Sequence, residues 1–232
     1  MGFEVGWSAP ARSRGAAPLV RPTRVRVYVR VVATSIQGLA PGFLVASPPL
    51  GDPNFDRTVV LLAVHGDGGA LGFVVNRAAP VTIGDLLSIA GYGEGLVEAT
   101  PVHVGGPVQP SSGWVVMVDP DLDAALGSVL AVGDRVRVTS SRAAFDAMAR
   151  DVEDGKPIGG SHDPRRRMVL LGYSGWGPGQ LEGEIAAGAW LPVPLDERVL
   201  FDVPLEDRWQ EAYALLGLSP AAMMTLGSGG DA

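Results

Sequence analysis

Short apolar runs broken by glycine and proline dominate the hydrophobic pattern of this chain. Residues 42–47, 57–65 and 70–76 are runs of this kind, and continuous apolar runs between turn residues predict buried strands. Gly66-Asp67-Gly68-Gly69 separates the second run from the third, and such a turn is typical of a hairpin. We therefore expect these two strands to pair antiparallel.

Further strands are predicted beyond this hairpin. Residues 102–104 and 114–118 flank Gly105-Gly106-Pro107, and residues 199–201 also have strand character. Charged residues alternate with valine over 135–139, a period of two that predicts a half-exposed strand. These short segments indicate a protein built mainly from strands.

Polar caps followed by apolar spacing predict three helices. Thr82 with Asp85 three residues later forms a capping-box pattern and predicts a helix over 82–89. One of the serines at 140 and 141 is expected to cap a second helix, and residues 206–216 are expected to form the last. On the last two helices the residues expected to be buried are Ala144, Phe145, Met148, Trp209, Tyr213 and Leu216.

A glycine-rich stretch in the last third of the chain is its most distinctive part. Met168–Leu171 predicts a buried strand, and residues 172–179 are expected to form a turn, because glycine allows backbone angles that side chains forbid. Pro178 suits the first turn of a helix. The residues expected on one face of that helix are Leu181, Ile185 and Trp190.

Together these elements predict an α+β protein. The strands alternate with short helices but show no regular βαβ rhythm, so we expect one domain with a largely antiparallel, barrel-like sheet. The domain is predicted to span residues 39–218. Residues 1–38 are predicted to be a basic extension, and residues 219–232 a flexible tail.

The charge distribution bears on possible partners. Residues 1–38 carry six arginines against Glu4, a balance of +5, which leaves −12 for the rest of a chain whose net charge is −7. An acidic domain repels phosphate backbones, so direct nucleic-acid binding is disfavoured unless the basic extension supplies it. That extension is interpreted as a basic arm for nucleic acid or an acidic partner, as a disordered tail, or as residues upstream of a true start of translation near Val31 or Val32.

Composition excludes several other classes. The chain has no cysteine, which excludes disulfides and thiolate chemistry. No apolar run reaches the roughly 20 residues that a membrane-spanning helix needs. Residues 1–38 lack a signal-peptide pattern because arginines interrupt every apolar run. We expect a cytoplasmic protein.

Ser174 is the candidate nucleophile, since it is predicted to follow a strand and precede a helix. A nucleophile elbow needs glycine two residues after the serine, and this chain has Trp176 there. All three histidines also precede Ser174, contrary to the order in that fold. We interpret Ser174 as a turn residue and expect no catalytic residue in the chain.

No cofactor or metal is expected either. Gly175-x-Gly177-x-Gly179 matches no phosphate-binding spacing, no lysine follows it, and Glu182 and Glu184 add negative charge. His65 with Asp67 and His162 with Asp163 are local pairs without zinc spacing.

The remaining candidates favour a binding surface. Trp176 is interpreted either as an exposed anchor for a partner or as a plug for the open end of the sheet. Asp207-Arg208-Trp209 suggests an ion pair and a cation–π contact that would hold the last helix. The candidate binding residues are Arg57, His65, Asn76, Ser174, Trp176 and Gln180.

Long segments of the chain resemble the bacterial AlgH/YqgE family, in register over about residues 39–218. The resemblance implies an α+β fold with a barrel-like sheet and a role among proteins named as transcriptional regulators. Relatives often carry cysteine where this chain has Ala63, so thiol chemistry suggested for them cannot operate here. The matching segments are residues 42–48, 52–59, 65–76, 104–108, 171–185 and 206–209.

Two hypotheses for function follow. The first is a non-enzymatic interaction protein that contacts an unknown protein partner through the turn at Ser174–Gln180. The second is a small-molecule binder or enzyme with a pocket around His65, Asn76 and Ser174.

Overall fold

The computed structural model describes residues 38–48, 50, 52–92, 98–122, 128–159 and 162–221. The predicted basic extension, apart from Gly38, and most of the predicted tail over 219–232 lie outside these residues. No helix in the described part has the length and apolar character needed to cross a membrane.

Strands make up most of the described regular structure. Those predicted at 42–47, 57–65 and 70–76 are present, and the second and third pair antiparallel from Val60–Val74 to Gly66–Gly69. The strands are β1 (Gly42–Ala46), β2 (Val59–Gly66), β3 (Gly69–Val74), β4 (Ala78–Thr82), β5 (Pro101–Val104), β6 (Val108–Val118), β7 (Val129–Val132), β8 (Val136–Thr139), β9 (Met168–Trp176) and β10 (Trp190–Pro194).

The helices are short and lie beside the sheet. Thr82 and Asp85 form the predicted capping box, and Ser141 caps the second helix. Of the residues expected to be buried, Ala144 and Leu216 are instead partly or well exposed. The helices are α1 (Ile83–Ile89), α2 (Arg142–Glu153), α3 (Gln180–Ala186), α4 (Glu197–Phe201) and α5 (Arg208–Ala214).

The sheet is curled and almost entirely antiparallel, which confirms the predicted fold class. Its strand order is β10-β1-β2-β3-β9-β6-β8-β7, with β4 and β5 off this path. β5 pairs with β9 in parallel and with β4 antiparallel. β9 therefore contacts β3, β5 and β6, and its two ends lie in different parts of the molecule.

Both faces of the central strands are buried. Phe43 and Val45 of β1 belong to a core closed by α4 and α5, whereas Leu44 and Ala46 point into a separate core beneath α3. Successive side chains of a strand point to opposite faces, so a strand buried on both faces needs a continuous apolar run. This explains the sequence pattern of β1 and β2.

Two predictions were wrong. Residues 199–201 belong to helix α4, whose cap is Asp196, accepting hydrogen bonds from the N–H groups of Arg198 and Val199. The strand predicted as half-exposed at 135–139 is observed over Val136–Thr139 and is buried throughout, because the Arg137 guanidinium donates to backbone carbonyls that include Pro120 and Leu122.

Candidate functional site

Glycines shape the backbone around β9. The strand continues through Trp176, so only residues 177–179 form the turn predicted to begin at 172. A Cβ on Gly172 would lie 2.5 Å from the Gly106 carbonyl oxygen, and one on Gly106 would lie 2.3 Å from the Tyr173 carbonyl carbon. These glycines allow a close backbone approach that any side chain would prevent.

Ser174 is buried within this close approach. It is 1% exposed, and its hydroxyl donates to the Gly105 carbonyl oxygen at 3.4 Å. A carbonyl cannot take a proton from the hydroxyl, so the contact does not activate Ser174 as a nucleophile.

Trp176 is buried rather than exposed, so the interpretation as an exposed anchor was wrong. The residue is 7% exposed, and its indole Nε1–H donates to Glu184 Oε2 at 2.8 Å. Trp190 donates to the same oxygen, also at 2.8 Å. One carboxylate oxygen therefore holds two tryptophans in fixed orientations.

Helix α3 supplies this carboxylate. It begins after Gly179, whose φ of 74° favours glycine. Gln180 accepts a hydrogen bond from the Gly177 N–H at 3.0 Å and donates to Glu184 Oε1 at 2.9 Å. Gln180 and Glu184 lie four residues apart and hence on one face of the helix.

Three aromatic rings meet beside Glu184. Phe55 lies 6.3 Å from Trp176 with an interplanar angle of 29° and 5.3 Å from Trp190 at 76°. The two indoles are 5.9 Å apart and nearly perpendicular, at 83°. Such edge-to-face and offset arrangements are the favoured geometries of aromatic pairs.

A cavity of about 360 Å³ opens beside these rings, and we call it the Glu184 cavity. Part of its described wall is apolar or glycine and consists of Leu50, Pro107, Val108, Gly175 and Ala189. The aromatic and polar residues that line it are Asp52, Phe55, Trp176, Gln180, Glu184 and Trp190.

His65 contacts α3 at a different residue. Its Nε2 lies 2.9 Å from Glu182 Oε1, and its Nδ1 accepts from the Leu39 N–H at 3.2 Å. A hydrogen bond from its own backbone N–H, followed by the bond to His65, lowers the pKa of Glu182. This pair joins β2 to α3 and does not line the Glu184 cavity.

Arg57 and Asn76 form a third contact. The Asn76 side chain accepts from the Val59 N–H at 2.8 Å and donates to the Arg57 carbonyl oxygen at 2.9 Å. The Arg57 guanidinium lies 5.7 Å from the centre of the Trp209 ring. Asn76 therefore holds the backbone before β2.

The structure thus divides the predicted site residues. Trp176 and Gln180 line the Glu184 cavity, whereas His65, Asn76 and Ser174 bond to separate partners. Within the described residues, no group of three histidine or carboxylate side chains could hold a metal ion.

The contacts predicted for the last helix, α5, differ from those observed. Arg208 is buried and donates to the carbonyl oxygens of Val203 and Val75, and Arg57 rather than Arg208 makes the cation–π contact with Trp209. Burial lowers the pKa of Arg208 to about 10.

Sequence reasoning missed Asp52, Phe55, Glu184 and Trp190 as site residues. Glu184 was considered only as a charge that disfavours phosphate, although its spacing from Gln180 indicated a shared helix face. Trp190 was assigned to that helix, whereas it begins β10. A contact between Phe55 and the tryptophans carries no local sequence signal.

The fold and the site define a class of protein, an α+β half-barrel with an aromatic cavity. Two tryptophans in the wall of this cavity are hydrogen-bonded to the same carboxylate. An AlgH-like family model matches residues 43–221, and the chain belongs to this AlgH-like family. The resemblance seen in the sequence is thereby confirmed.

Similar proteins cover most of the chain. A UPF0301 protein of Anaeromyxobacter dehalogenans is 44% identical over 203 residues, which are 84% of this chain and 96% of the relative. A UPF0301 protein of Xanthomonas campestris is 42% identical over 182 residues, 78% of this chain and 90% of the relative.

Two solved structures share the fold. The solution structure of the AlgH protein from Pseudomonas aeruginosa has a TM-score of 0.64 at 31% identity, covering 86% of this chain and 97% of that one. A crystal structure from Corynebacterium diphtheriae has a TM-score of 0.55 at 24% identity, covering 75% and 85%.

Proposed function

We propose that this AlgH-like protein is a cytoplasmic, non-enzymatic interaction protein that binds a partner protein at the Glu184 cavity. The observation that carries the proposal is a cavity of about 360 Å³ with three aromatic side chains in its wall. Cavities of this size with apolar walls and a few fixed polar groups are the usual form of a small-molecule site, and anchor side chains of partner proteins also insert into such pockets. Any regulatory role would then operate through protein contacts.

Rigidity of the wall supports recognition. Both indole N–H groups are bonded to Glu184, and Gln180 bonds Glu184 in turn. A preformed wall loses little conformational entropy when a partner binds. Tryptophan is also among the residues that contribute most at interfaces.

The polar groups of the wall favour binding over catalysis. Glu184 accepts three hydrogen bonds from Trp176, Trp190 and Gln180, so these groups orient each other. Ser174 is bonded to a carbonyl and does not line the cavity.

A random-peptide display selection against the full chain tests the proposal. Phe55→Ala removes one wall of the cavity, and Phe55 is only partly buried, so the fold should survive. Trp176→Ala is less suitable because it also deletes a buried indole. Ile89→Ala is the matched control, since Ile89 is 50% exposed on α1 and does not line the cavity.

We expect enriched peptides whose affinity falls about tenfold or more with Phe55→Ala, the loss of one hot-spot contact, and is unchanged with Ile89→Ala. Circular dichroism establishes that each variant is folded, and Gln180→Ala replaces Phe55→Ala if that variant does not fold. Failure to enrich any peptide, or equal binding by the wild type and the Phe55→Ala variant, would overturn the proposal.

A further inference from the structure

The charge of the Glu184 cavity is not balanced by the described part of the protein. Asp52 and Glu184 line it, and its described lining contains no lysine, arginine or histidine. The ion pairs found among the described residues include neither carboxylate. The hydrogen bonds that Glu184 accepts come from neutral indole and amide groups.

Arg57 is close to Asp52 in sequence and Arg77 contacts the turn after Asp52, but neither guanidinium contributes to the cavity lining. The Arg57 guanidinium lies over Trp209, and Arg77 donates to the backbone carbonyls of Pro53, Asn54 and Asp56. A ligand that enters the cavity therefore meets two carboxylates without a competing cation from these side chains.

The aromatic wall favours the same sign of charge. Trp176 and Trp190 direct their N–H groups to Glu184, and Phe55 packs against both rings. Aromatic ring faces attract cations, and tryptophan does so most strongly. Anions would be repelled by both carboxylates.

Resting on the proposed function, we propose that the Glu184 cavity binds the guanidinium of an arginine side chain presented by the partner protein. A guanidinium is planar and weakly hydrated, stacks on aromatic rings and donates several hydrogen bonds to carboxylates. A lysine ammonium is more strongly hydrated and lacks the flat face. The charge of −12 outside residues 1–38 attracts a basic partner over longer distances.

Nuclear magnetic resonance of the ¹⁵N-labelled full chain tests this directly. The indole N–H signals of Trp176 and Trp190 are assigned with Trp→Phe variants and report on the groups bonded to Glu184. The probe is a blocked Gly-Gly-Arg-Gly-Gly peptide, compared with peptides that carry citrulline or lysine at the centre. Citrulline has nearly the shape of arginine but no charge.

We expect saturable shifts of both signals, with the arginine peptide binding about tenfold more tightly than the citrulline peptide because of the charge-assisted and cation–π contacts. Lysine should be intermediate. Glu184→Gln should abolish most of this preference. Glu182→Gln changes the net charge equally on the same helix but outside the cavity, and should preserve it. Asp52→Asn is a second test if Glu184→Gln does not fold.

Equal binding of arginine and citrulline, no saturable shift, or equal effects of Glu182→Gln and Glu184→Gln would overturn the inference. Replacing the six arginines of residues 1–38 by glutamine should leave the two signals of the free protein unchanged. A shift would identify residues 1–38 of this chain as the segment that occupies the cavity. It would overturn the proposal that an arginine of a partner protein binds there. Displayed peptides that need Phe55 but lack arginine would overturn only this inference, whereas a selection without any binder would overturn the proposed function as well.

Discussion

The two ends of β9 hold charged side chains in opposite ways. Just before the strand, Arg167 is 4% exposed and bonds to Asp163 Oδ2 at 2.8 Å and to Asp151 Oδ2 at 2.6 Å. At the other end, Glu184 holds Trp176 and Trp190 beside a cavity and has only neutral partners among the described residues.

At the Arg167 end of β9, which we call the closed end, each buried charge has a partner of opposite charge. Burial raises the pKa of Asp163, but hydrogen bonds from the Arg167 side chain and from the N–H groups of Gly159, Arg167 and Arg165 outweigh it and leave the pKa below its ordinary value. Burial lowers the pKa of Arg167, but its bonds to Asp163 and Asp151 raise it overall. A fully satisfied buried pair serves the fold and has nothing left to offer a ligand.

The two ends of β9 show how a charge that stabilises the fold differs from a charge that is available to a ligand. A buried carboxylate whose partner is an arginine holds the chain in place. A carboxylate with neutral donors, partly exposed beside a cavity, retains charge for an incoming group. Variants at each end of β9 should therefore affect different measurements.

The largest effect is expected from Asp163→Ala. The change leaves Arg167 buried without its main partner and removes the acceptor for three backbone N–H groups. We expect the free energy of unfolding in urea to fall by about 3–5 kcal/mol. Asp154→Ala, at a carboxylate that is 61% exposed, is the control and should change stability by less than about 0.5 kcal/mol. A loss below about 1 kcal/mol for Asp163→Ala would show that this end is not a closed structural unit.

Acid should destabilise the protein through His103, which lies opposite Leu170 of β9. Burial, followed by the charge of Arg208, lowers the pKa of His103 from 6.5 to about 4. The unfolded chain therefore binds a proton first as the pH falls below 6.5, and the folded state loses stability until the pH passes below 4.

Between pH 7 and pH 4.5 we expect His103 to cost roughly 2–3 kcal/mol of stability. Urea unfolding of the wild type and of His103→Gln over this range measures it, because the variant lacks the titrating group. Parallel pH profiles for the two proteins would contradict this account.

Glu184→Gln should have a smaller effect on stability. The amide oxygen can still accept from both indoles, but the amide NH2 replaces the oxygen that accepts from Gln180. The loss is therefore that of charge assistance and of one exposed hydrogen bond, about 1–2 kcal/mol. Thermal and urea unfolding measure this change. A loss of about 3 kcal/mol or more would place Glu184 with Asp163 among the structural charges.

The smallest effect is expected from Glu182→Gln on the same helix. Its side chain is 52% exposed, and exposed ion pairs contribute about 0–1 kcal/mol. We expect unfolding experiments to show no measurable change in stability. If Glu182→Gln destabilised the protein more than Glu184→Gln, the contrast between these two residues would be reversed.

Local patterns were sufficient where the interaction itself is local. The capping box of Thr82 and Asp85, the cap at Ser141 and the hairpin at Gly66 to Gly69 involve residues within a few positions of one another. Patterns failed where a distant neighbour decided the outcome. Arg137 is buried because carbonyls from other segments accept its donors, and no local pattern shows those carbonyls.

By itself the sequence determined the family, the α+β class and the need for glycine around β9. Apolar periodicity and backbone sterics are properties of consecutive residues. Only the tertiary structure decided that Phe55, Trp176 and Trp190 meet, and that one α3 carboxylate bonds both indoles while its neighbour Glu182 bonds His65. The physical reason is that hydrogen bonding and desolvation depend on distances between segments far apart in the chain, which the curl of the sheet sets.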